Sequence, residues 1–282
     1  MTDLFEKSTA TLELPRVLEL LAAEAVTQEG KDRALKLRPM TDPDGVERAL
    51  AETSAAVELV SLRGAPYFGG VKPVGASLQR ADMGGALNTR ELLDIAAVLR
   101  SARSTMEYAA ESERKTPLDP LFQGLTANRF LEEKITGSIL SEEEIADAAS
   151  TELADIRRRK RATASKVRDI LQRIISSNQS KYLQEPIITQ RNGRYVVPVK
   201  SEHKNDVPGL VHDLSASGGT FFVEPMGVVK ANNELRELEA LEEKEIDRIL
   251  AELSSDCAAH REDISQDYDF LVMLDSIFAR AG

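Results

Sequence analysis

Residues 151–181, TELADIRRRKRATASKVRDILQRIISSNQSK, decide the architecture. Leu153, Ile156, Lys160, Thr163, Val167, Ile170, Ile174, Ser177 and Lys181 fall at alternating spacings of three and four, and five of these nine are apolar. That is the stripe of a helix that packs along one partner. The spacing predicts a continuous helix, roughly 45 Å long at about 1.5 Å per residue. The consecutive cations Arg157, Arg158, Arg159, Lys160 and Arg161 turn by about 100° per step and so surround the helix, more than one partner can cover.

A second long helix is predicted from about Val228 to Ser255, with Leu235, Leu238, Leu241, Ile246, Ile249 and Leu253 inward and a shift of seam near Glu242. Two such stripes, each too narrow for a globular core, suit an antiparallel pair. The residues between them then form a tip, and they read as β. Pro186-Ile187-Ile188-Thr189-Gln190 and Tyr195-Val196-Val197-Pro198-Val199-Lys200 flank Arg191-Asn192-Gly193-Arg194, and Asn-Gly between β-prone runs is the strongest short hairpin signal. A second hairpin is expected from Gly209–Leu214 and Thr220–Glu224 around Ser215-Ala216-Ser217-Gly218-Gly219. Pro198 has no N–H to give a ladder, which predicts an edge strand or a bulge there.

The first half reads as amphipathic helices with punctuation. One carries Leu14, Val17, Leu18 and Leu21, and the pattern runs on to Leu35 and Leu37 before Pro39 and Pro43. Another spans about Asp44 to Leu62, a loop holds Gly64, Pro66, Gly69 and Gly70, and Asn88 caps a helix with Leu92, Leu93, Ala96 and Leu99. Residues 113–128, with Pro117 and Pro120, read as a link to a small irregular piece where Gly137 turns a short hairpin.

The chain has 282 residues, a net charge of −11 and 42% hydrophobic residues, enough for a substantial core. Within residues 157–204, however, thirteen Lys or Arg stand against three acids, so this segment is +10 and the other 234 residues sum to −21. A basic lobe on an acidic body suits a polyanion such as DNA or RNA. The apolar runs are far short of the roughly 20 residues of a membrane span, the start lacks a secretory hydrophobic region, and the lone Cys257 forms no internal disulfide. A cytoplasmic protein with no membrane partner is expected.

Several stretches together carry a family resemblance. Tyr182-Leu183-Gln184-Glu185-Pro186-Ile187-Ile188-Thr189 continues through Arg191-Asn192-Gly193-Arg194-Tyr195-Val196-Val197-Pro198-Val199-Lys200. Gly209-Leu210-Val211-His212-Asp213, Ser215-Ala216-Ser217-Gly218, Phe222-Val223-Glu224-Pro225 and Asn232-Asn233-Glu234-Leu235-Arg236-Glu237-Leu238 follow. This run resembles the bacterial MutS-two family, a paralogue of mismatch-repair MutS. Weaker similarity covers Leu62-Arg63-Gly64 and Glu91-Leu92-Leu93-Asp94-Ile95-Ala96. The resemblance implies a mainly α, MutS-like fold: a helical core domain at 1–150, an ascending lever helix at 151–184, a β-rich clamp at 185–226, a descending lever helix at 227–256, and a helix at 257–282 leading towards an ATPase domain. The antiparallel levers would be tipped by the small antiparallel clamp. The chain contains no G-x-x-x-x-G-K-[ST], so ATP and Mg are expected only for an ATPase domain outside it, and no cofactor within it. The family resembles an ATPase and Smr-domain endonuclease through such further domains, and no enzymatic activity is expected of these residues.

For a clamp that touches backbone without reading bases, phosphate contacts need surface cations rather than a pocket. Carrying that role onto this sequence selects Arg191 and Arg194 beside the turn, with Lys200, His203 and Lys204 at the end of the next strand. Arg157, Arg158, Arg159, Lys160 and Arg161 form a second basic surface or serve as salt-bridge partners at the base of the helix pair. The expected partner is branched or duplex DNA, bound by a homodimer that restrains homologous recombination. The alternatives are structured RNA or ribosomes in the rescue of collided ribosomes, and a coiled-coil interaction scaffold. Other chemistry is poorly supported: His203, His212 and His260 lack metal-ligand spacing, Ser215–Thr220 reads as a turn rather than an anion nest, and Phe222-Val223-Glu224 lies in a predicted strand.

Overall fold

A computed structural model describes residues 2–110 and 115–282, so part of the 113–128 link lies outside the described residues. The helices are α1 (Thr2–Thr11), α2 (Leu14–Glu24), α3 (Gln28–Leu35), α4 (Pro43–Arg63), α5 (Gly75–Asp82), α6 (Thr89–Ala110), α7 (Asp119–Gln123), α8 (Arg129–Ser138), α9 (Thr151–Ile175), α10 (Met226–Ala259) and α11 (Arg261–Ala279). The strands are β1 (Ile139–Ser141), β2 (Glu144–Ile145), β3 (Thr189–Arg191), β4 (Arg194–Lys200), β5 (Gly209–Leu214) and β6 (Thr220–Pro225). The fold is therefore mainly helical with two small antiparallel sheets. The chain divides into two compact units, residues 1–146 with 250–282, and residues 147–249. α10 contributes to both.

In the first unit, α6 opens with the expected cap: Asn88 Oδ1 accepts from Glu91 N at 3.0 Å, and Glu91 Oε2 accepts from Asn88 N at 3.0 Å. This reciprocal pair satisfies two orphan donors of the first turn. The buried stripe of α6, Leu92, Ile95 and Leu99, meets Leu131 and Ile135 of α8 in a core where all five are at most 1% exposed. The hairpin expected at Gly137 is displaced. Gly137 lies inside α8, and β1 turns into β2 at Glu142-Glu143. Four residues at helical spacing, Leu131, Glu132, Ile135 and Ser138, are buried along α8 and outweigh one glycine.

Residues 257–282, set apart by the sequence reading, pack inside the first unit. α11 buries Ile264, Leu271, Val272, Leu274 and Ile277 and lies against α3, α4, α5 and α6. Its Asp275 is 2% exposed and accepts from Val26 N at 3.0 Å, Thr27 N at 2.8 Å and Thr27 Oγ1 at 2.6 Å. Thr27 Oγ1 in turn accepts from Gly30 N at the start of α3. A Cβ at residue 30 would strike the Asp275 carboxylate, so this crossing requires glycine.

The second unit pairs α9 with α10 antiparallel, since Ser150 meets Glu245 while Ile170 meets Gly227. Ser150 caps α9, accepting from Leu153 N at 2.9 Å. α9 ends at Ile175, earlier than the sequence pattern suggests, and residues 178–182 form a 3-10 turn. The weak helix formers Ser176, Ser177 and Asn178 explain the stop, with Ser177 Oγ accepting from Gln179 N. The seam of α10 does not shift at Glu242. It continues as Leu235, Leu238, Glu242, Glu245 and Ile249, while Leu241 is 44% exposed. The two acidic positions meet cations or hydroxyls, which is why an apolar-only pattern misses them.

The second sheet has the order β3-β4-β6-β5. Val197, Val199 and Val223 on one face close over Val167 and Leu171 of α9 and Val228 and Leu235 of α10. Arg191 pairs with Arg194 across a two-residue turn with Asn192 at φ 51° and Gly193 at φ 72°, as the Asn-Gly signal requires. Contrary to the edge expectation, Pro198 lies in the interior strand β4. β3 pairs only as far as Val196, and Pro198 O accepts from Gln184 N, so the proline nitrogen points away from β6 to where no full strand runs.

Replacing Asp275 with Ala removes three charge-assisted or buried hydrogen bonds and should cost about 3 kcal/mol in chemical denaturation. The buried Asp267 of α11 accepts from Thr126 N at 2.7 Å through Oδ1, while Oδ2 has no hydrogen-bond partner among the described residues. Burial, with a smaller push from Asp263, raises its carboxyl to about 7. The folded chain then holds this proton more tightly than the unfolded one. Stability from this group should fall by a few kcal/mol, at about 1.4 kcal/mol per pH unit, as pH rises from about 4 to 7, and level off above. Asp267→Asn should remove that slope from a pH series of unfolding curves.

A candidate nucleic-acid interface on the second unit

The basic segment is spread over α9, the 3-10 turn and the sheet, and its cations have different fates. Arg157 Nε donates to Glu242 Oε1 at 2.7 Å and its Nη1 to Asp147 Oδ1 at 2.8 Å. Lys160 Nζ donates to Glu242 Oε2 at 2.9 Å, Arg161 Nη1 lies 3.2 Å from Asp147, and Arg158 pairs with Asp155. Burial works against ionisation of Glu242, yet Lys160 and Arg157 outweigh it and hold the carboxyl below the usual range. Glu245 is held at about 2 by Arg248 and then by the Ser150 hydroxyl. Four of the five cations in the run are thus engaged locally, and Arg159 has no ion pair among the described residues.

The five tip residues are not brought together. Arg194 and Lys200 stand at opposite ends of β4, about 20 Å apart at roughly 3.3 Å per residue. Arg194 is committed to the interior of the unit: its Nη1 donates to Glu224 Oε1 at 2.8 Å and its Nη2 to Asn233 Oδ1 at 2.6 Å, with its side chain only 15% exposed. Arg191 stacks over the Phe222 ring at 4.0 Å and lies 3.3 Å from Asp213. Neither is a free surface cation. At the other end, Lys200 Nζ donates to Lys181 O at 3.1 Å, and Lys204 Nζ sits 4.9 Å from the Phe221 ring. His203 lies 4.9 Å from the Tyr182 ring and bonds Asp206 at 2.8 Å.

Lys181, Lys200 and Lys204 therefore gather beside the Tyr182, His203 and Phe221 rings, and none of the three lysines has an ion-pair partner among the described residues. Lys181 and Tyr182 escape the sequence reading because it extends the helix through them. The Ser176-Ser177-Asn178 run was the available signal. Two of these ammonium groups lie on ring faces and the third on a backbone carbonyl, which offers charge without a pocket, the chemistry of contact to a phosphate chain.

What holds the sheet in place is Glu224, fully buried on β6. It accepts from Arg194, from Asn232 Nδ2 at 2.7 Å and from His212 Nε2. His212 is the extra residue of a bulge, because Val211 pairs with Val223 and Asp213 with Phe222. Asn232 also accepts from Tyr195 N at 3.2 Å and donates to Tyr195 O at 3.0 Å, replacing the ladder partner that β4 loses where β6 turns into α10. The Phe222-Val223-Glu224 run is thus part of the sheet's own bonding. Ser215–Thr220 is a hairpin turn in which Ser215 Oγ accepts from Thr220 N.

Burial pushes the Cys257 thiol up to about 12, far from a nucleophile's range. Among the described residues no cluster of His, Cys, Asp or Glu is arranged to hold a metal, and no helix is long and apolar enough to cross a membrane.

Glu224→Ala would strand Arg194, His212 and Asn232 and should destabilise the second unit by about 3 kcal/mol, read as faster amide exchange along β4 and β6 and a lower denaturation midpoint.

No protein-family model matches the chain. It is 44% identical over 280 residues to "Endonuclease MutS2" of Ruminiclostridium cellulolyticum, 45% over 281 residues to that of Acetivibrio thermocellus and 44% over 278 residues to that of Pelotomaculum thermopropionicum. Each match covers 98% of this chain and 35% of the relative, so the chain spans about a third of the length of these curated relatives. At that identity along almost its whole length, and with the Asn-Gly hairpin in the sheet that its sequence anticipates, the chain belongs to the MutS2 family and matches about a third of the length of these relatives.

Proposed function

We propose that this chain is the nucleic-acid-holding part of a MutS-like, ATP-dependent protein. α9 and α10 act as the levers, the four-stranded sheet with its flanking turns acts as the clamp, and the first unit is the core. The clamp touches the phosphate backbone of duplex or branched DNA without reading sequence. ATP and Mg act in an ATPase domain elsewhere in the longer protein, which dimerises so that two clamps close on one duplex, and an endonuclease acts there too. The cellular setting is the cytoplasm, and the process is restraint of recombination between DNA molecules.

One observation carries this reading. Lys181, Lys200 and Lys204 converge on one end of the sheet without acidic partners among the described residues, in a chain whose sequence outside the basic segment is strongly acidic. Such a body repels a polyanion everywhere except where cations outnumber acids, so approach is steered to that end. Because each phosphate contact releases condensed counterions, the reading makes a quantitative demand on salt dependence.

Lys181→Glu, Lys200→Glu and Lys204→Glu together should lower duplex affinity at least tenfold. They should also flatten log K against log salt by about 2.7, at roughly 0.9 for each phosphate no longer neutralised. Unchanged affinity and slope would reject the clamp assignment, and preference for ribosomal particles over branched and plain DNA in competition would move the target to RNA.

A further inference from the structure

Four cations of α9 make no ion pair among the described residues; Arg168 lies over the Tyr195 ring, and the other three share one flank. Arg159, Lys166 and Arg173 are exposed and spaced by seven residues. Seven residues make almost two helical turns, so each step rises about 10.5 Å and drifts only about 20° around the axis. The three side chains form a nearly straight row, about 21 Å long at that rise. Arg157 and Arg161 project from the opposite flank, where Asp147 takes both. Of the acids beside the row, Asp155 is engaged by Arg158, Arg173 Nε donates to the backbone carbonyl of Asp169 at 3.3 Å rather than to its carboxylate, and the exposed Glu152, seven residues before Arg159, stands in line with the row at its N-terminal end.

We propose that this row is a second phosphate-tracking surface, which contacts the backbone of the same nucleic acid that the lysine cluster holds. The inference deepens the nucleic-acid reading and rests on it. Three charges in register on a straight helix cannot enclose a small anion, because about 10.5 Å separates neighbouring positions. They suit a polymer with regularly repeated charge, and the length of the row matches several phosphates rather than one. Each long side chain sits on a rigid helical backbone, so the row follows a phosphate chain by rotamer adjustment alone. Arg157 and Lys160 are tied to acids of the same unit, so binding through the row leaves the α9–α10 pairing undisturbed.

The test compares the full chain with its Arg159→Gln, Lys166→Gln, Arg173→Gln variant on a DNA duplex across a salt series. The expected result is a slope flattened by about 2.7, roughly 0.9 for each phosphate, and affinity reduced more than tenfold, with the lysine cluster intact. A control that replaces Lys36, Arg38 and Arg48 of the first unit with Gln should leave the slope unchanged, and equal flattening there would overturn the row as a site. A row variant with parental slope and affinity would also overturn it, and if the lysine-cluster variant still lost binding, the clamp reading would stand alone. Absence of salt-dependent binding to any nucleic acid by the parent chain would remove both.

Discussion

The polar layer between α9 and α10 is the constraint on which the second unit depends. Glu242 sits at a seam position and accepts from Arg157 and Lys160, while Glu245, one turn on, accepts from Ser150 at the cap of α9. A purely apolar seam tolerates sliding by a turn, because any leucine packs against any other. Two carboxylates that need specific donors do not, since a slip would leave charge buried without a partner. The layer thus sets which residues of the two helices lie opposite one another. It also sets where β4 and β6 meet the far end of the pair, where Val197, Val199 and Val223 close over Val167, Leu171 and Leu235.

The same layer explains why a strongly basic segment does not behave as one patch. Much of its charge neutralises Asp147, Asp155 and Glu242. Arg194 is drawn into the Glu224 hub, where hydrogen bonds from three residues offset the cost of burying a carboxylate. What is left is sorted by geometry: lysines at one end of the sheet, and a row along α9. The charge left free is the remainder after structural pairing, so counting cations overstates it and misplaces it.

Much of the fold was legible along the chain. The Asn192-Gly193 turn, the Asn88 cap and the helical span beginning at Thr151 are local signals, each set by φ/ψ preference or by a side chain reaching its own backbone. Where sequence pattern and structure part, the cause is competition between signals. The heptad spacing that runs on to Lys181 is overridden by three weak helix formers, Gly137 is carried by the buried stripe of α8, and Leu241 faces outward because acidic residues share the seam. Of the candidate cluster, Lys200, His203 and Lys204 are legible in the sequence as cations at a strand end, while Lys181 and Tyr182 are not, because only the 3-10 turn brings them alongside.

By itself, then, the amino-acid order determined the longer helices, the caps and turns with local signatures and the segregation of charge, because these depend on neighbours within a few residues. It also carried the family likeness. Which cations are spent and which remain was decided by tertiary structure alone. Asp147 and Glu242 stand up to 85 positions from Arg157, and Glu224 stands 30 from Arg194. Ion pairing depends on distance in space: the antiparallel crossing of α9 and α10 brings Glu242 to Arg157, the turn before α9 brings Asp147 back to it, and the pairing of β4 with β6 brings Glu224 to Arg194.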